Sequence, residues 1–131
     1  MNTIEQELEQ AFLKLPTLKH VGMALLQFAY GIQNTTNLQK TAGGVFRLDF
    51  VAFSFPEGGE VIRMYVNLEI EKINAEDMRW LPIRPDQSVQ GFPVCEIKRV
   101  NQLGQAVGYI RLAYDKYLTT GQTTEAARSR N

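Results

Sequence analysis

Between Ile62 and Ile70 the apolar residues Ile62, Met64, Val66, Leu68 and Ile70 alternate with Arg63, Tyr65, Asn67 and Glu69. Successive side chains of a strand point to opposite faces, so this run commits the chain to a sheet that is buried on one face and polar on the other. Something else in the chain must cover the buried face. The sequence before residue 34 offers that cover.

Thr3 and Gln6 have the spacing of a capping box, and Ile4, Leu8, Ala11, Phe12 and Leu15 then recur at helical intervals until Pro16. This predicts a first amphipathic helix. Thr17 stands where it can cap a second, in which Leu18, Val21, Leu25, Phe28 and Ile32 form one stripe. Met23, Leu26 and Tyr30 widen its apolar surface, which marks it as the more buried of the two.

The polar stretch NTTNLQKTAGG leads from helices to sheet. VFRLDFVAFSF reads as a strand joined to the alternating one by PEGGE, whose glycines can take the positive φ of a hairpin. A register that pairs Phe46 with Ile70, Leu48 with Leu68 and Phe50 with Val66 puts these inside and sets Arg47 against Glu69, and Val51 against Tyr65, outside. A second hairpin from residues 93–117 would pair Cys95 with Leu112 and Ile97 with Ile110 inside, and Glu96 with Arg111 and Lys98 with Tyr109 outside. Residues 93–103 also admit a reading as a short helix closed by Gly104. Between the hairpins, a helical turn is expected over residues 75–80, followed by a loop carrying Trp80 and Arg84.

The expected fold is therefore α+β, with two N-terminal helices packed on an antiparallel sheet of about four strands built from two hairpins. Residues 1–118 make one globular domain on this reading, and residues 119–131, with little to bury, a flexible tail. The 131 residues suit one domain with a real core. Lys plus Arg and Asp plus Glu both number 14, so no global field favours nucleic acid or an anionic membrane. A polar, acidic N-terminus and the lack of a long apolar run point to the cytoplasm.

A single cysteine, Cys95, and a single histidine, His20, leave few ways to build a zinc cluster or a triad. The carboxylates suggest one chemistry. Asp49 in RLDFVAF, Glu96 and Lys98 in CEIKR, and the Gln105 and Tyr109 pair together resemble the PD-(D/E)xK nuclease superfamily. That resemblance implies that Asp49 and Glu96 hold a divalent metal, that Lys98 balances developing charge, and that Gln105 and Tyr109 ride on a helix. By composition, however, AVGYIRLAY reads as a strand.

Without a metal, the same charges are cross-strand pairs on a solvated face. In the expected register Val51, Phe53, Tyr65 and Tyr109 all point away from the helices, and aromatic groups on an open face mark an interface. The reading this favours is a non-catalytic protein-binding, assembly or regulatory module with no metal or cofactor. It would use that face and the loop of Trp80 and Arg84 to meet another protein or a second copy of itself. The metal-dependent nuclease on Asp49, Glu96 and Lys98 is the alternative. Whether the core under the second helix is filled or leaves a ligand cavity stays open.

Overall fold

The computed structural model describes residues 3–33, 37–89 and 91–120. Among these residues, four α-helices lie with one six-stranded antiparallel sheet, an α+β arrangement with two strands more than the sequence suggested. Helices α1 (Thr3–Leu13) and α2 (Lys19–Gln33) form where apolar spacing predicts them. They cross closely at Gly22, where the ring of Phe12 occupies the space that a Cβ would need. Leu8 and Phe12 on α1 are fully buried, each worth roughly 1.5–3 kcal/mol of transfer free energy.

Strands β1 (Gln39–Lys40), β2 (Phe46–Arg47), β3 (Val51–Ser54), β4 (Ile62–Val66), β5 (Ile83–Val89) and β6 (Phe92–Ile97) lie in the order β1-β2-β3-β4-β6-β5. Helix α3 (Ala75–Trp80) coincides with the helical turn expected there, and Asn74 caps it by accepting the Glu76 N–H at 2.7 Å. Gly58, with φ of 90°, lies in the expected hairpin connection between β3 and β4.

Three expectations change. VFRLDFVAFSF is two short strands, because the chain reverses at residues 48–50 with Leu48 N–H donating to the Val51 carbonyl at 2.8 Å. Phe46 pairs with Phe53, and Val51 with Val66, one residue away from the expected register. The turn resets the strand phase, so Val51 and Phe53 face the helices and are fully buried. The segment after α3 is not a loop but strand β5, which occupies an edge, where Pro85 removes no needed ladder donor.

The third change concerns residues 103–120. Strand β6 pairs with β4 and β5, and the chain continues through a 3₁₀ turn (Val100–Gln102) into helix α4 (Leu103–Thr120). Ala106, Tyr109, Ile110 and Ala113 are buried at intervals of three and four, a helical stripe that outweighs the two glycines and the β-favouring residues. The pairs Cys95 with Leu112 and Glu96 with Arg111 therefore do not form. Helix α4 also takes in residues 119 and 120, and the rest of the expected tail lies outside the described residues. Among the described residues no helix is long and apolar enough to cross a membrane.

Candidate functional site

Cross-strand pairing builds the sheet face opposite the main core in rows. Arg47, Ala52, Tyr65, Val94 and Arg84 are successive partners across β2, β3, β4, β6 and β5, and Ser54, Arg63 and Glu96 make the next row. The middle of this face is not open. Ala52, Tyr65, Phe92 and Val94 form a small buried cluster, and the Tyr65 hydroxyl shares a 3.0 Å hydrogen bond with Ser54 Oγ.

At the β6 end of the second row, Glu96 draws cations together. Arg63 donates from Nη2 at 2.8 Å and from Nε at 3.2 Å, whereas Lys98 Nζ and Arg84 Nη2 stand at 3.7 and 3.9 Å. Hydrogen bonding from Arg63, with the charges of Lys98 and Arg84 added, holds the Glu96 carboxyl below the usual carboxylate range despite its partial burial. The same pair raises the Arg63 guanidinium. Distance and exposure set the hierarchy. The Arg63 pair is mostly shielded and doubly hydrogen-bonded, while Lys98, 60% exposed, makes a contact of the surface kind, worth at most about 1 kcal/mol.

A shallow pocket of about 250 Å³ opens here, lined by Pro82, Arg84, Glu96, Lys98, Arg99 and Gln102 among others. Its rim is tied down from two sides. Gln102 Oε1 accepts the N–H groups of Lys98 and Arg99 at 2.8 and 3.0 Å, and its Nε2 donates to the Trp80 carbonyl at 3.0 Å. From beneath, the Tyr109 hydroxyl donates to the Leu81 carbonyl at 2.6 Å. The segment from Trp80 to Arg84 is thus held against the start of α4, with the Trp80 ring half-exposed. Cys95 lines the pocket floor, and burial pushes its thiol pKa well up, so it serves as a small apolar group.

Of the residues singled out from sequence for a partner surface, Trp80 and Arg84 are exposed; Arg84 lines this pocket, and the Trp80 carbonyl is bound by Gln102, which lines it too. Val51 and Phe53 are in the main core, Tyr109 is buried on α4, and Tyr65 is only 5% exposed. These four do not form an open aromatic face. Arg63 and Gln102 were not singled out. Arg63 sits on the polar side of the alternating strand, but its partner is set by the β4–β6 pairing, which nothing local signals.

The expected metal constellation is divided between the ends of α4. Asp49 accepts a 3.2 Å hydrogen bond from Tyr117 near the C-terminal end of that helix, whereas Lys98 is fastened by Gln102 just before its N-terminal end. At 1.5 Å per residue Leu103 and Tyr117 are about 21 Å apart along the helix. Asp49 cannot share an ion with Glu96. Among the described residues no group of three or more His, Cys, Asp or Glu side chains is placed to hold a metal ion.

Fold and site together define a small α+β domain with a basic pocket whose Gln102 binds the backbone of an exposed tryptophan. Compared with models of protein families, with curated proteins and with solved structures, the chain matches none of them.

Proposed function

We propose that the chain is a non-catalytic binding module that meets a protein partner through the pocket of Arg84, Lys98 and Arg99 and the exposed Trp80, whose backbone Gln102 ties to that pocket. The observation that carries this reading is the anchoring of an exposed aromatic residue to a cationic rim by Gln102. Aromatic and arginine side chains dominate interface energetics, and a surface already ordered loses less entropy when it is covered. Nothing in the pocket requires a catalyst. Its one carboxylate is engaged by Arg63, and its thiol is buried.

The test is affinity capture from the source cells with the intact chain and with a Trp80→Ala, Arg84→Ala double variant of unchanged circular dichroism. A protein retained by the first and lost by the second supports the module. Identical captures reject it. Light scattering across a concentration series shows in parallel whether the partner is a second copy.

A second reading, the metal-dependent nuclease, draws support from one feature. Helix α4 follows the strand carrying Glu96, with Lys98 just past the end of that strand, and it bears Gln105 and Tyr109, which is the order that the family resemblance implies. Asp49 is not available to it, and the Tyr109 hydroxyl is committed to Leu81. Plasmid incubated with Mg²⁺ or Mn²⁺ separates the readings: nicking that disappears in Glu96→Gln and Lys98→Ala favours the enzyme.

A further inference from the structure

Taking the module reading as given, the geometry points to the class of its partner: we propose that the pocket takes a short acidic peptide segment, one of whose carboxylates replaces Glu96 as the counterion of Lys98. Glu96 occupies the cation cluster in the free chain as a ligand carboxylate would. Its bond to Arg63 is short and doubled, so that contact persists. Lys98 reaches Glu96 at only 3.7 Å and is largely exposed, so its contact exchanges at little cost. Arg84, at 3.9 Å, and the exposed Arg99 also line the pocket. Arg63, Arg84 and Lys98 around one carboxylate leave the site net positive in a chain whose formal charge is zero.

Charge density decides between a peptide and a phosphate backbone. Nucleic-acid binding draws its strength from many simultaneous phosphate contacts, on the order of 6–10. This pocket offers three cations, Arg84, Lys98 and Arg99, too few to hold a phosphate backbone in that way. A segment with one or two carboxylates fits the charge count.

Trp80 is the only tryptophan in the chain, and its carbonyl is bound by Gln102 of the pocket lining, so its emission is a single-residue reporter tied to this neighbourhood. The full chain is titrated with a short synthetic peptide of glutamate, aspartate and leucine, with a counterpart carrying lysine for the acids, and with a single-stranded oligonucleotide. The acidic peptide is expected to shift the emission, and more strongly as salt is lowered. Joint replacement Lys98→Ala and Arg99→Ala should weaken it by about tenfold or more. Glu96→Gln, which keeps the shape and removes the competing charge, should strengthen it several-fold.

Weakening by Glu96→Gln, or equal binding of the lysine peptide, overturns the proposal. Binding of the oligonucleotide through the same side chains, with the acidic peptide inert, replaces the partner class and leaves a binding module standing. If no probe moves the emission, the acidic class is wrong, and the capture experiment decides separately whether a Trp80-dependent partner exists.

Discussion

The side-chain amide of Gln102 donates to the Trp80 carbonyl at 3.0 Å, while its oxygen accepts the N–H groups of Lys98 and Arg99. One buried side chain therefore joins the end of α3 to the start of α4. Gln102→Ala leaves those backbone groups without their partner, at a cost of about 1–3 kcal/mol. The melting temperature should fall by several degrees. Iodide should quench Trp80 more efficiently than in the parent, and unchanged quenching at lowered stability would show that the anchor does not order the ring.

Tyr109 is a structural residue in this arrangement and not a contact residue. Tyr109→Phe keeps the packing of α4 and removes the bond to Leu81, leaving a buried carbonyl short of a donor. Urea unfolding should show a loss of about 1–2 kcal/mol. Partner capture in native buffer should be unaffected.

The carboxylate of Glu60, beyond the β3–β4 hairpin turn, accepts the N–H groups of Thr17 and Leu18 at 2.6 Å each and so serves the start of α2 from far along the chain. Desolvation raises its pKa, but these hydrogen bonds outweigh it and leave the group below its ordinary value. A carboxyl lowered on folding stabilises above its unfolded pKa and loses that contribution as the pH falls through the folded one. Thermal melts from neutral to acid pH should therefore decline less steeply below the ordinary glutamate range in Glu60→Gln than in the parent. Parallel curves would remove Glu60 from the account of acid sensitivity.

Gly22 allows α2 to lie directly on the Phe12 ring. A methyl group there forces the ring off its rotamer or the helices apart, a strain of about 1–3 kcal/mol. Gly22→Ala should be destabilised by that amount. Adding Phe12→Leu should restore part of it, and strictly additive losses would place the strain elsewhere.

Much of the local architecture is legible without coordinates. The spacing of Ile4, Leu8 and Phe12 marks α1, the alternation through Ile62, Met64 and Val66 assigns the faces of β4, and the residues from Ala75 to Trp80 form the expected turn of helix. Each of these rests on neighbours within a few residues, where periodicity and capping act directly. Trp80 and Arg84 also stood out, as part of a stretch with two prolines and the only tryptophan that follows neither the helical nor the strand period for long.

Sequence alone thus determined that this chain has helices covering one face of an antiparallel sheet, and which side of β4 turns inward. Tertiary structure decided what stands beside what. Phe53 turned inward because the chain reverses at residues 48–50, and Glu96 met Arg63 instead of Arg111 because β6 pairs with β4. Residues 103–120 became a helix because Ala106, Tyr109, Ile110 and Ala113 could then be buried together. A one-residue change of phase moves every side chain of a strand to the other face, and the pairing that sets the phase joins residues far apart in the chain.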